Sequence, residues 1–130
     1  MPNRLDQRYL HLGLGATVVP QPPFTGYDWY EAYGARHDGD GAEGRLVSMS
    51  TFAKSWDSWE MHPHGDELVL CTAGRMTLTQ EFPDGTLATV TISAGEYAIN
   101  PPGVWHTADV EGEATAVFIT AGLGTQGRPR

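Results

Sequence analysis

Three of the five histidines lie in two segments whose other residues also suit metal chemistry, SWEMHPHGDELVLCTAG (58–74) and GEYAINPPGVWHTADV (95–110). On a strand, His62 and His64 would project from the same face, and Glu67 follows a Gly-Asp pair that can turn its carboxylate toward them. His106 follows a rigid Pro-Pro-Gly turn and can approach from a neighbouring strand. Three imidazoles and one carboxylate suit Mn, Fe, Ni, Co, Cu or Zn rather than Mg or Ca. The first segment alone fits a surface histidine pair equally well, so the prediction of one divalent transition-metal ion depends on both segments.

The elements that must position these residues are short strands. From Glu67 onward, short apolar segments are separated by Gly, Pro and Asp, which is typical of an antiparallel sandwich or barrel. The segments RMTLTQEF and LATVTIS flank Asp84-Gly85, which predicts a tight hairpin between them. Alternation puts Gln80 on the same face as Met76 and Leu78, either solvated near the strand end or lining a pocket. We predict a short helix at DWYEAYGAR and a loose C-terminal tail, GLGTQGRPR.

Composition limits the classes of function. The 130 residues fit one domain, and the formal charge of −8, with Lys54 as the single lysine, disfavours binding to nucleic acid. One cysteine, Cys71, excludes an internal disulfide, and we expect it to be a buried apolar side chain without chemistry. The N-terminus lacks the pattern of a secretory signal, and no apolar run approaches about 18 residues. These features predict a soluble cytoplasmic protein without membrane contact.

The two segments together resemble the two signature motifs of the cupin superfamily. The second motif reads Gly, five residues, Pro, one residue, Gly, two residues and His, and it is met without a gap by Gly95, Pro101, Gly103 and His106. The resemblance covers about residues 45–121. It implies an all-β fold, a double-stranded β-helix or jelly-roll barrel with the metal inside its mouth. Residues 1–130 would then form a single cupin domain with a short irregular N-terminal extension.

The first motif leaves two registers open. It reads HxH, three or four residues, Glu, six residues and Gly, and the matching residues are His62, His64, Glu67 and Gly74. Only two residues separate His64 from Glu67. In the first register, which we favour because HxH puts two imidazoles on one face, the metal ligands are His62, His64, Glu67 and His106. In the second, Glu60 takes the place of His64; in the first, Glu60 stays near the metal as a base.

The resemblance implies a metal-dependent enzyme that acts on a small organic molecule, of the dioxygenase, isomerase or lyase type. The alternative is a non-catalytic cupin that binds or senses a small molecule or metal. Acid–base catalysis needs a titratable group near the metal, and the candidates are Glu60, or His64 in the second register, and Tyr97. Aromatic residues surround the two motifs and can line a ligand pocket: Trp56, Trp59, Tyr97 and Trp105.

We also predict a homodimer. Cupins of this size commonly pair through their barrel strands, and the N-terminal segment carries more aromatic residues than a minimal barrel needs: Tyr27, Trp29, Tyr30 and Tyr33.

Overall fold

The computed structural model describes residues 2–130, and within them the chain forms one α-helix and eleven strands. The helix α1 spans Tyr27–His37, and short 3₁₀ segments cover Leu14–Ala16 and Asp38–Glu43. The strands are β1 (Leu10–Gly13), β2 (Thr17–Pro20), β3 (Arg45–Phe52), β4 (Ser58–Met61), β5 (Glu67–Ala73), β6 (Arg75–Glu81), β7 (Leu87–Ser93), β8 (Tyr97–Asn100), β9 (Trp105–Val110), β10 (Ala114–Thr120) and β11 (Gln126–Pro129).

The strands form two antiparallel sheets that enclose one core. The first sheet has the order β2-β1-β3-β10-β5-β8, and the second has the order β11-β4-β9-β6-β7. Along β10, buried and half-buried residues alternate strictly, because every second side chain points into the barrel. The predicted all-β jelly-roll barrel is therefore confirmed. Its core consists of Val69, Cys71, Met76, Leu78, Ile92, Ala108, Ala114, Ala116 and Phe118.

The predicted hairpin is also confirmed. β6 pairs with β7 from Arg75↔Ser93 to Glu81↔Leu87. Gly85 adopts a φ of +87°, a backbone conformation that residues other than glycine rarely adopt. Asp84 accepts hydrogen bonds from both the backbone N–H and the hydroxyl of Thr86, so the turn is fixed locally.

The N-terminal extension is more regular than we predicted. β1 and β2 form a hairpin that extends the first sheet beyond β3, and the predicted short helix is present as α1. His11 joins these parts and is almost fully buried. Its Nδ1 lies 2.6 Å from the hydroxyl of Tyr33 and its Nε2 lies 2.7 Å from Oδ2 of Asp40. Its ring also stacks on His37, with centroids 3.8 Å apart.

We expect His11→Ala to lower the free energy of unfolding by about 2–3 kcal/mol, because it empties a buried position and removes two hydrogen bonds. Chemical denaturation measures this change. His64→Ala, which removes an exposed imidazole, is the matched control and should change stability by less than about 0.5 kcal/mol. Equal effects of the two substitutions would contradict a stabilising role for His11.

The C-terminal tail is not loose, so that prediction is wrong. β11 pairs with β4 along its whole length, from Gln126↔Met61 to Pro129↔Ser58. The Arg128 guanidinium lies between the rings of Trp59 and Trp105, at 5.0 and 4.5 Å from their centroids. Cation–π contacts and ion pairs of the two terminal arginines therefore hold a polar segment that has little apolar surface to bury. Among residues 2–130, no helix is long and apolar enough to cross a membrane.

Candidate metal centre

One end of the barrel interior carries a layer of polar side chains. In the first sheet they occupy one cross-strand row, Thr120↔Glu67↔Asn100, and in the second sheet another, Glu60↔His106↔Gln80. The rows touch across the barrel, because Gln80 donates a hydrogen bond to Oδ1 of Asn100 at 2.9 Å. His62 joins them immediately after the end of β4. The β-sheet registers therefore bring together residues from both sequence motifs.

The centre of this group is the carboxylate of Glu67, which lies between two imidazoles. Its Oε2 is 3.1 Å from Nε2 of His62, and its Oε1 is 3.2 Å from Nε2 of His106. These distances suit an ion pair, and neither nitrogen has a hydrogen-bond partner of acceptable geometry among the described residues. Buried polar atoms without partners are rare and need an explanation. Two imidazole nitrogens and a carboxylate that converge without bonding to one another are the arrangement that metal ligands require, so these residues fit a transition metal.

Neutral hydrogen-bond donors hold the Glu67 carboxylate in place. Thr120 donates its hydroxyl to Oε2 at 2.6 Å, and Asn100 donates Nδ2 to Oε1 at 3.0 Å. The bond from Gln80 fixes the orientation of the Asn100 amide. Gln80, which we predicted to be either solvated or lining a pocket, is half-buried and supports Asn100.

The electrostatics keep Glu67 ionised. Burial alone would raise its pKa, but the imidazoles of His106 and His62 outweigh this effect and hold the pKa far below its usual range. Burial opposes protonation of His62 as well, and the adjacent carboxylate of Glu67 nevertheless raises the pKa of that imidazole. An anion buried beside two nitrogen ligands gives the position a strong preference for a cation.

Glu60 completes the group on the solvent side. Its ligand atoms and those of His62 and His106 all lie within 4.8 Å of one another, and its Oε2 is 4.0 Å from Nε2 of His62. Its side chain is 43% exposed, whereas the other three members are buried. Partial burial, followed by the charge of Glu67, raises the pKa of Glu60.

His64 lies outside this group, although we favoured it as a ligand. β4 ends at Met61 and residues 63–65 form a bend, so the two-residue alternation that would align His64 with His62 is broken. The His64 side chain is exposed. Glu60 is on the strand itself and therefore shares the inner face with His62. The structure thus assembles the residues of the second register, and we replace His64 by Glu60 in the ligand set.

Tyr97 and two of the predicted aromatic wall residues also face away from the group. Tyr97 is 63% exposed and is an odd number of residues from Asn100, so it lies on the outer face of β8. Trp59 and Trp105 precede Glu60 and His106, which face inward, so their own side chains face outward. There they pack on either side of Arg128. Trp56 alone of the four predicted residues is near the site, with its ring centroid 6.4 Å from that of His106.

The helix α1 packs against the N-terminal extension of the first sheet. The row that contains Glu67 continues across this sheet to β1 through the pairs Thr120↔Leu46 and Leu46↔His11, and Tyr33 of α1 contacts His11. Tyr30 on α1 is 45% exposed. Burial, and then the negative charges of neighbouring groups that include Glu60, raise the pKa of its phenol.

A second histidine cluster exists in the N-terminal extension, where ligand atoms of His11, His37 and Asp40 lie within 4.8 Å of one another. Both ring nitrogens of His11 already have hydrogen-bond partners, and Nε2 of His37 contacts Gln21 at 3.0 Å. The two imidazoles are stacked, so their lone pairs do not converge on one point. This cluster is a hydrogen-bond network that connects α1 to β1.

Several residues of the site were not predicted. Asn100 and Thr120 bind Glu67, and Thr125 contacts His62. The position of Asn100 on the inner face follows from alternation along β8 once the strand is known. Thr120 and Thr125 lie more than 50 residues from their partners, and a threonine in a strand or turn carries no signal of such a contact.

Comparison with known proteins identifies the protein family to which the chain belongs. The family model described as "Cupin domain" matches residues 49–122, which include all four residues of the proposed ligand set. The chain therefore belongs to the cupin family. No curated protein sequence matches it.

Several solved structures resemble the chain in part of their length. Oxalate oxidase is 21% identical with a TM-score of 0.58, and the match covers 71% of this chain and 50% of that one. Peruvianin-I, a cysteine peptidase from Thevetia peruviana latex, is 24% identical with a TM-score of 0.53, covering 63% and 54%. A cupin-2 domain protein from Shewanella frigidimarina is 24% identical with a TM-score of 0.46, covering 66% and 71%. The chain spans about half the length of the first two proteins, and at these identities the likeness describes the fold alone.

Proposed function

We propose that the protein binds one divalent transition-metal ion through Glu60, His62, Glu67 and His106, and that this centre acts on a small organic molecule. The observation that carries the proposal is the pair of buried imidazole nitrogens, each without a hydrogen-bond partner, on either side of the ionised Glu67. Two nitrogen and two oxygen ligands suit Mn, Fe, Co, Ni, Cu or Zn. Three of the ligands are buried, and the fourth, Glu60, faces the opening through which a ligand would enter.

The surroundings of the centre favour a ligand with both polar and apolar parts. When bound, the ion supplies a Lewis acid or a redox centre with an open coordination position. Trp56 packs between His106 and the core ring of Phe118, and its Nε1–H is buried without a hydrogen-bond partner among the described residues. We propose an enzyme of the dioxygenase, isomerase or lyase type that holds its substrate between these groups.

A non-catalytic binding or sensor function is the second candidate, and one observation favours it. The predicted acid–base groups are missing from the centre, because Tyr97 faces outward and Glu60 joins the proposed ligand set. His64, the candidate in the second register, is exposed and lies outside the group. A centre of this kind can bind a small molecule tightly without converting it.

One experiment separates the two candidates. Protein purified without chelator is mixed with phenols, small carboxylic acids, carbonyl compounds and sugars, and both oxygen uptake and product formation by NMR are followed. Turnover that disappears in His106→Ala supports an enzyme. A ligand that raises the melting temperature of the wild-type protein but is not converted supports a binding protein and contradicts the enzyme.

A homodimer and a cytoplasmic location stay predictions. One observation supports the dimer: β8 is one edge of the first sheet, β7 is one edge of the second, and the two strands contact each other. Together they carry four exposed apolar side chains: Leu87, Val90, Tyr97 and Ile99. We expect light scattering at micromolar concentration to give twice the chain mass of 14.1 kDa. Ile99→Lys should weaken the dimer if this surface forms it, whereas a monomeric wild-type protein would contradict the prediction.

A further inference from the structure

The C-terminal segment reaches back to one of the proposed metal ligands. Oγ1 of Thr125 lies 2.8 Å from Nδ1 of His62 and 2.8 Å from the carbonyl oxygen of Gly122. A hydroxyl has one hydrogen, and a carbonyl oxygen can only accept, so Thr125 donates to Gly122. Oγ1 must then accept from His62, which puts the imidazole hydrogen on Nδ1. In the neutral imidazole this leaves the free lone pair on Nε2, which is the atom that faces Glu67.

Close packing holds Thr125 in this position. The segment turns at Gly124, whose φ of +73° suits glycine, and an added side-chain carbon there would lie 3.2 Å from Cγ of Pro63. Gly65 approaches Ala121 in the same way, with 2.7 Å between an added carbon and Cβ of Ala121. Beyond Thr125 the chain continues directly into β11, which pairs with β4. The segment 121–129 therefore packs against residues on both sides of His62, namely β4 before it and residues 63–65 after it.

The backbone of His62 is held separately, because its carbonyl oxygen accepts a hydrogen bond from the N–H of Gly103 at 3.0 Å. Of the two ring nitrogens, Nδ1 has a hydrogen-bond partner, the hydroxyl of Thr125, whereas Nε2 has none among the described residues. Outer partners of this kind orient a histidine ligand, select its tautomer and typically change metal affinity about 10- to 100-fold.

We propose that Thr125 is a positioning residue of the metal centre, which holds His62 in the Nδ1–H tautomer and aims Nε2 at the ion. The proposal rests on the metal-binding function proposed above. Thr125 itself lies beyond residues 49–122, the part of the chain that matches the cupin family.

The test compares variants at this position. Thr125→Val removes the hydroxyl at nearly constant volume, Thr125→Ala removes it with a smaller side chain, and Thr125→Ser retains it. We expect Co²⁺ or Zn²⁺ affinity, measured by competition with a coloured chelator, to fall about 10- to 100-fold in Thr125→Val and Thr125→Ala and to recover in Thr125→Ser. Thr51→Val, which removes an exposed strand hydroxyl far from this turn in sequence, is the control and should bind as wild type does.

A second readout needs no metal. In ¹⁵N-labelled metal-free protein, at a pH above the raised pKa of His62 so that the imidazole is neutral, the His62 signals should show Nδ1–H in the wild type and in Thr125→Ser, and a mixture of tautomers in Thr125→Val. Wild-type protein that binds no metal would contradict the proposed function, while the tautomer measurement still decides the role of Thr125. Unchanged affinity together with an unchanged tautomer in Thr125→Val and Thr125→Ala would overturn the inference.

Discussion

His106→Ala should lose tight metal binding while the barrel still folds. His106 is fully buried and supplies one of only two imidazole nitrogens in the centre. Loss of a residue that hydrogen-bonds to a metal ligand typically lowers metal affinity about 10- to 100-fold. Removal of the ligand itself should therefore lower the affinity by more than about 100-fold. Elemental analysis should give close to one metal ion per chain for the wild type and close to none for the variant.

Two controls make this result specific. Thermal unfolding of His106→Ala should remain cooperative, which separates loss of the ion from loss of the fold. His37→Ala, which removes an imidazole from the N-terminal cluster, should keep the full metal content. A His106→Ala protein that retains metal with wild-type affinity would contradict the proposed ligand set.

Glu60→Ala and His64→Ala should differ sharply, although the two residues lie only four positions apart. Glu60 belongs to the group of converging ligand atoms, whereas His64 is exposed beyond the end of β4. We expect Glu60→Ala to weaken metal binding by about tenfold or more and His64→Ala to leave it unchanged. Both measurements use the same chelator competition. Loss of metal in His64→Ala with full retention in Glu60→Ala would restore the HxH register and exclude the one proposed here.

The two registers could not be distinguished from the sequence because the difference depends on where one strand ends. The pattern HxH predicts two imidazoles on one face only if the strand continues through both histidines. β4 instead ends at Met61, since Pro63 and Gly65 interrupt it. Two-residue alternation puts Glu60 and His62 on the same face. It does not extend to His64, because the strand has ended before that residue.

Other parts of the fold followed directly from local patterns. The Asp84-Gly85 turn predicted the β6–β7 hairpin, because a tight turn needs residues that accept its backbone angles. The regular spacing of apolar segments predicted the barrel. Strand β11 could not be predicted from the local sequence, because residues 126–129 have no apolar alternation. Contacts of Arg128 and Arg130 with side chains distant in sequence hold this segment in place.

The hydrogen bonds around the centre are the part least visible in the sequence. Thr120, Asn100 and Thr125 come from β10, β8 and the C-terminal turn, and each acts on a ligand from another part of the chain. Their roles depend on the register of strand pairing, which local propensity does not determine. Tyr97 illustrates the converse, because its position next to the second motif suggested a role that its outward orientation on β8 does not support.

The most direct test of the central claim is X-ray diffraction from crystals of protein loaded with Co²⁺ or Zn²⁺, recorded at the absorption edge of that metal. We expect one anomalous peak per chain, at about 2.0–2.2 Å from Nε2 of His62, Nε2 of His106 and a carboxylate oxygen of Glu67. A carboxylate oxygen of Glu60 should complete the set. A peak on His64 or in the cluster around His11, or no peak within the barrel of loaded crystals, would contradict it.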